Sequence, residues 1–151
     1  MAATLWREAR RAHPLPHIMA RLSGGDYTQG MRKTSDLIWQ DAQHQVLFEI
    51  LDAIRQPDAG EDVIRRLMDY TETHFMLEEH YMAELGYPGM AEHVEAHNRF
   101  RAEIRQVLDA EEEIDAVFRD IMGTFLTEWL KRHVFGIDKD LEAFVLGSGR
   151  Q

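Results

Sequence analysis

Residues 74–97, HFMLEEHYMAELGYPGMAEHVEAH, decide the fold of this chain, because they hold two pairs of potential metal ligands separated by a turn signal. His74 and Glu78 are four residues apart, and so are His93 and His97. Residues at this spacing project from one helix face about one turn apart. A Gly-Tyr-Pro-Gly segment between the pairs breaks the helical pattern. The stretch therefore predicts two helices, each offering two donors to a shared centre.

Three further candidate ligands extend the pattern to other helical segments. His44 lies within an earlier segment and shares its apolar face, while His133 ends a later one and is followed by Asp138. Imidazole and carboxylate donors suit iron, although the same donors accept manganese or zinc. We expect four helices to converge on a two-metal centre built from seven side chains: His44, His74, Glu78, His93, His97, His133 and Asp138.

Apolar periodicity predicts an all-α chain. Short connections between the long helical segments favour an antiparallel up-down four-helix bundle, whose interior is a usual place for metals. Residues 1–34 have weaker patterns and are predicted to form an N-terminal arm or short helix, which leaves 35–151 as the bundle domain. The predicted helical segments, including a short C-terminal helix, are approximately 35–55, 61–85, 90–110, 114–133 and 138–146.

Several residues are predicted to begin or end these helices. Ser35 or Asp36 could cap the first helix, since short polar side chains bond the free backbone N–H groups there. The acidic run Glu111–Glu113 suits the positive N-terminal end of the fourth helix. Gly136 is expected to end that helix, which places Asp138 just beyond it.

Composition excludes several classes of function. The chain has 17 basic and 27 acidic residues, a net charge of −10, which disfavours binding to nucleic acid. Cysteine is absent, so thiolate metal sites and disulfides are excluded. We see no apolar stretch long enough for a signal peptide or membrane span, and we expect a cytoplasmic protein without a membrane partner.

These residues and spacings resemble the hemerythrin family in its bacterial single-domain form, over about residues 37–146. The matching motifs are Asp41-x2-His44, the run HFMLEE from His74 to Glu79, Met82, Gly86-Tyr87-Pro88, His93-x3-His97 and Trp129-Leu130-x2-His133-x4-Asp138.

The resemblance implies a cofactor of two iron ions, a non-haem di-iron centre with an oxo or hydroxo bridge. It assigns His93, His97 and His133 to one iron. It assigns His44 and His74 to the other iron, and Glu78 and Asp138 to the bridge between them. The iron with two histidines would have one open coordination position. The resemblance also implies an apolar oxygen pocket lined by Leu47, Phe75, Trp129, Leu130 and Val134.

The implied function is reversible dioxygen binding for oxygen storage, delivery or sensing, by a protein that is not an enzyme. Oxygen-activating di-iron bundles use two E-x-x-H motifs and four carboxylates. A histidine-rich centre without those motifs favours reversible binding over oxidation chemistry. The alternatives are an enzyme-like role in peroxide or nitric oxide reduction or iron oxidation, and an oxygen or redox sensor coupled to an unidentified protein partner. Nitric oxide is a second candidate ligand.

Three residues near the candidate ligands in sequence are not predicted to bind metal themselves: Asp41, Glu79 and His80. Glu79 follows Glu78 and points about 100° away on an ideal helix, so it is predicted to be a solvated residue. Asp41 either orients a ligand or simply belongs to the first helix. His80, like the other histidines outside the spacing pattern, His13 and His17, is not predicted to bind metal.

Overall fold

A computed structural model of the chain describes residues 33–109 and 114–149, and this part of the chain is helical without a strand. The predicted arm falls outside the described residues, except for Lys33 and Thr34, and the acidic run of residues 111–113 falls outside them altogether. A π-helical turn, His133–Ile137, joins the last two α-helices. The α-helices are α1 (Ile38–Ile54), α2 (Glu61–Leu85), α3 (Met90–Asp109), α4 (Ala116–Arg132) and α5 (Asp138–Gly147). The predicted all-α bundle and its short last helix are confirmed.

The buried apolar side chains form two clusters at different heights in the bundle. The smaller one, here the end cluster, contains Leu37, Met82, Leu141 and Val145. The larger one, here the main core, contains Leu47, Ile50, Leu51, Ile54, Ile64, Leu67, Phe75, Phe100, Ile104, Val107, Phe118, Met122, Leu126, Leu130 and Val134. Removing these side chains from water is the main contribution to the stability of the bundle.

The order of the two clusters along the chain shows that neighbouring long helices run in opposite directions. Along α1 and α3 the chain passes from the end cluster to the main core, and along α2, and from α4 into α5, it passes back. In each helix or at its end, the candidate ligands lie between the two clusters. The bundle therefore brings them to one polar layer with apolar side chains on both sides.

The ends of α1 and α2 have different local causes. Leu37 occupies the N-cap position of α1 without a side-chain cap, so the prediction that Ser35 or Asp36 caps this helix is wrong. Gly86 ends α2 with φ 64°, in the left-handed region that glycine adopts without strain. The Tyr87 N–H then donates to the Met82 carbonyl, 2.9 Å away.

Gly136 does not end a helix, contrary to the prediction from the sequence. It lies inside the π turn, and the chain continues directly into α5. The Asp138 N–H donates to the His133 carbonyl, five residues back, where an α-helix would bond residues four apart. The extra residue turns His133 and Asp138 toward the same face of the helix. Among the helices of the described ranges, none combines the length and the apolar composition needed to cross a membrane.

Candidate metal centre

The polar layer contains all seven predicted ligand side chains, and each of them is buried. None exposes more than 2% of its surface: His44, His74, Glu78, His93, His97, His133 and Asp138. Polar groups are rarely buried in this number unless something compensates for the loss of water. Their arrangement therefore has to be explained by the contacts they make.

The ligand atoms form two groups, and within each group they lie within 4.8 Å of one another. Glu78 belongs to both. The three-histidine group consists of Glu78, His93, His97 and His133, and the two-histidine group consists of His44, His74, Glu78 and Asp138. Two adjacent sites that share a carboxylate are the arrangement expected of a two-metal centre.

Asp138 faces both groups, with a different oxygen toward each. Its Oδ1 lies 3.2 Å from His93 Nε2 and 2.9 Å from His133 Nε2. Its Oδ2 lies 3.0 Å from His44 Nε2 and 3.9 Å from His74 Nε2. This geometry suits a carboxylate that bridges two metals, and it depends on the π turn that directs Asp138 inward.

Glu78 approaches the histidines through a single oxygen. Its Oε2 lies 3.3 Å from the Nε2 atoms of both His93 and His97, and 3.6 Å from that of His74. Its other oxygen, Oε1, accepts a hydrogen bond of 2.7 Å from the side-chain amide of Gln40. Oε2 therefore faces the middle of the layer, and Oε1 is held by Gln40.

Three of the histidines have a partner for the ring nitrogen that points away from the centre. His74 Nδ1 lies 2.9 Å from Gln43 Oε1, and His97 Nδ1 lies 2.9 Å from Glu79 Oε1. Both partners are acceptors, so each histidine donates from Nδ1 and keeps Nε2 free for a metal. Such outer partners fix the orientation and tautomer of metal-binding histidines.

Glu79 is therefore not a solvated residue, and that prediction is wrong. Its Oε1 accepts from His97 and also from Arg101 Nη1, 3.1 Å away on α3. The ideal helical angle predicted outward projection, but α3 packs beside this edge of α2 and supplies both donors. Glu79 remains about a quarter exposed, with a side-chain exposure of 26%.

Asp41 helps to orient a ligand, which decides between the two roles left open by the sequence. Its Oδ1 accepts hydrogen bonds from the backbone N–H and the hydroxyl of Thr34, at 2.6 and 2.8 Å. The same hydroxyl lies 2.8 Å from His44 Nδ1. Because its proton goes to Asp41, the Thr34 oxygen accepts from His44, which again leaves Nε2 free.

Several buried atoms in the layer lack the partners that burial demands. Among the described residues, no hydrogen bond reaches His74 Nε2, Glu78 Oε2, His93 Nε2 or Asp138 Oδ1, although some of these atoms lie close together. Each unsatisfied group costs about 1–3 kcal/mol. All four face the middle of the layer, where a metal would bind them. The residues therefore fit two metal ions held by nitrogen and oxygen.

The charges of the centre suit the same interpretation. Burial would raise the pKa values of the Glu78 and Asp138 carboxyls, but the surrounding histidines hold both well below their ordinary values. Burial would lower the pKa of His133, yet the Asp138 carboxylate beside it raises that pKa to about 9. The carboxylates are thus ionised, as ligands must be. Because a histidine ligand must be neutral, metal binding would displace any proton held by His133.

Aromatic rings pack directly against the three-histidine group. Phe75 stacks on His97 with ring centroids 3.8 Å apart, and Trp129 stacks on His133 at 4.4 Å. Of the five residues predicted to line an oxygen pocket, four belong to the main core, and the fifth, Trp129, packs against it. These five side chains thus share the main core or pack against it, and two of them, Phe75 and Trp129, contact the histidines.

Replacement of Glu79 by alanine should weaken metal binding by about 10–100-fold, the usual cost of losing an outer partner of a ligand histidine. The His97 ring would lose its acceptor, and Arg101 would lose one of its carboxylate partners. Competition with a coloured chelator measures the affinity. The matched control is Glu84→Ala, an exposed glutamate on the same helix. Equal affinities for the two variants would contradict the role given to Glu79.

Comparison with known proteins agrees with the geometry. Residues 37–145 match the family model described as the hemerythrin HHE cation binding domain. A bacteriohemerythrin of Stenotrophomonas maltophilia (strain R551-3) is 34% identical over 122 residues, covering 68% of this chain and 77% of that protein. A myohemerythrin of Riftia pachyptila is 31% identical over 98 residues, covering 65% of this chain and 76% of that protein.

A bacteriohemerythrin of Clostridium acetobutylicum is 28% identical over 114 residues, covering 68% of this chain and 86% of that protein. No solved structure gives a significant match. The family match covers the bundle and every side chain of the polar layer. This chain belongs to the hemerythrin family.

Proposed function

We propose that this protein binds dioxygen reversibly at a non-haem di-iron centre, for oxygen storage, delivery or sensing. Hemerythrins are oxygen-binding proteins rather than enzymes, and their cofactor is a pair of non-haem irons. The observation that carries the proposal is the buried polar layer, in which two histidine groups share carboxylates.

The proposed ligand assignment follows the two groups. One iron is held by His93, His97 and His133, the other by His44 and His74, and Glu78 and Asp138 bridge them. The distances from Asp138 support the bridge, because its two oxygens face different histidine groups. The two-histidine group supplies fewer protein donors, so we place the open coordination position there. When bound, the di-iron centre supplies the electrons that dioxygen binding requires.

The apolar residues beside the histidines are proposed to keep water and protons away from the bound gas. These residues are Leu47, Phe75, Trp129, Leu130 and Val134. Their burial supports this role, since the exposures of Leu47, Phe75, Leu130 and Val134 are 3% or less. The apolar surroundings of a metal site control solvent access and so the lifetime of a reactive bound ligand.

Leu130→Ala should shorten the lifetime of the oxygenated protein several-fold. Leu130 is 3% exposed, and its truncation would leave space that water can enter. The decay of the visible absorption band of oxygenated protein measures the rate. The matched control is Leu67→Ala, which truncates another main-core leucine that is 2% exposed and is not assigned to the pocket. Equal acceleration of the decay by both variants would contradict the proposal that Leu130 lines the oxygen pocket.

Rapid mixing separates oxygen binding from the enzyme-like alternative. Iron-loaded, reduced protein is mixed with dioxygen in the absence of other substrates. We expect a visible absorption band that fades when oxygen is removed and returns when it is added again. Irreversible bleaching, or oxygen consumption that continues over many turnovers with a reductant, would favour peroxide reduction, nitric oxide reduction or iron oxidation.

Other properties stay predictions. Nitric oxide is a second ligand proposed for the same open position, and a protein partner is proposed only for a sensing role. The cytoplasmic location and the division between an arm at residues 1–34 and a bundle at 35–151 also stay predictions.

A further inference from the structure

The two proposed bridging carboxylates are held differently. Asp138 directs one oxygen toward each histidine group. Glu78 directs Oε2 toward both groups, while its Oε1 accepts a hydrogen bond of 2.7 Å from Gln40. Gln40 thus holds the oxygen of Glu78 that does not face the histidines.

Gln40 has no contact with solvent, since its exposure is 0%. It lies one helical turn before His44 on α1 and shares the inward face of that helix. An apolar side chain would fill such a position without the cost of burying an amide. The buried amide therefore needs a specific partner, and the ionised Glu78 carboxylate is one, because hydrogen bonds to charged groups are the strong ones.

A hydrogen bond from Ser35 to the amide oxygen fixes the orientation of the Gln40 amide. The Ser35 hydroxyl accepts the Leu37 N–H at 3.1 Å and donates its own proton to Gln40 Oε1 at 2.7 Å. The amide oxygen thus faces Ser35, and the amide NH₂ faces Glu78. The reverse orientation would place the amide oxygen against the carboxylate of Glu78, where both atoms are acceptors.

We propose that Gln40 is a positioning residue of the di-iron centre, which holds Oε1 of Glu78 by a hydrogen bond and so fixes the orientation of this carboxylate toward the metals. The inference rests on the proposed function, because it assigns to Glu78 a role at two bound irons. It adds a residue of α1 that is not itself a ligand.

Gln40→Met tests the proposal, because methionine has a similar length and no hydrogen-bond donor. Without the amide donor, the Glu78 carboxylate is no longer fixed in one orientation, so it binds the metals less well. A control variant, Thr127→Val, also removes hydrogen bonds of a buried side chain, but these join Thr127 to the Gly123 carbonyl within α4 and to Arg55. Ser35→Ala is a milder test, since it keeps Gln40 and removes the hydroxyl that orients it.

Two measurements on iron-loaded protein report on Glu78 without measuring oxygen binding. The first is the infrared difference spectrum between oxidised and reduced protein whose glutamate carboxyls are labelled with carbon-13. Glu78 is the only proposed glutamate ligand, and the separation between its two carboxylate stretching bands depends on how many oxygens bind metal. The second is the rate of iron release to a chelator.

In Gln40→Met we expect the band separation to shift and iron release to accelerate by about 10–100-fold. Ser35→Ala should change the band separation and the release rate in the same direction as Gln40→Met, but by a smaller amount. Thr127→Val should leave the band separation unchanged. If Gln40→Met does not fold, Ser35→Ala decides alone. Wild-type band separation and release rate in the folded variants would overturn the role of Gln40. Failure of the wild-type protein to hold two irons would instead overturn the proposed function.

Discussion

His74→Ala is expected to lose most of its bound iron, whereas His80→Ala keeps the wild-type amount. His74 is fully buried, and its Nε2 faces Glu78 at 3.6 Å. Loss of a direct ligand should lower iron affinity by more than about 100-fold, beyond the usual effect of an outer partner. His80 lies on the same helix and is exposed, so it is a matched control.

Metal analysis of desalted protein after loading with iron measures the difference. The expected result is a wild-type iron content in His80→Ala and less than half of it in His74→Ala. Equal loss from both variants would contradict the assignment of His74 as a ligand. Circular dichroism of the metal-free variants shows whether either change disturbs the helices themselves.

Removal of iron should lower the thermal unfolding midpoint of the protein by about 10 °C or more. Four inward-facing atoms lack a hydrogen-bond partner among the described residues, and each such atom costs about 1–3 kcal/mol when nothing compensates for its burial. Metal binding removes that cost in the folded state only, so it stabilises the fold.

Calorimetry before and after treatment with a chelator measures this shift. Addition of iron back to the chelated protein should restore the midpoint, and His74→Ala should respond to the chelator far less than the wild type does. Equal midpoints for the loaded and chelated wild type would show that the polar layer is satisfied without metal. The claim that metal binding stabilises the fold would then be wrong.

Helical spacing was sufficient to predict the frame of this protein. The pairs His74 with Glu78 and His93 with His97 depend only on the local geometry of a single helix. The turn around Gly86 follows from the same local rules, because glycine adopts the left-handed conformation found there. These features need no knowledge of the neighbouring helices.

Features that depend on contacts between elements were predicted less well. The expectation that Gly136 ends a helix considered glycine alone, whereas the π turn keeps His133 and Asp138 on the same face. Glu79 was predicted from the geometry of α2 alone, but donors on α3 bind it.

The outer partners Thr34 and Gln40 were missed for a related reason. Thr34 contacts His44 because the chain before α1 folds back toward Asp41, and no periodic pattern signals such a segment. Gln40 could have been noticed as a polar residue one turn before His44, on the apolar face of its helix. Its partner, Glu78, is distant in sequence and appears only in the folded bundle.

A crystal structure of the iron-loaded protein, with anomalous diffraction data recorded at the iron edge, tests the central claim most directly. We predict two iron peaks within the polar layer, one beside His93, His97 and His133 and the other beside His44 and His74, with Glu78 and Asp138 contacting both. A single peak, or two irons that share neither carboxylate, would contradict it.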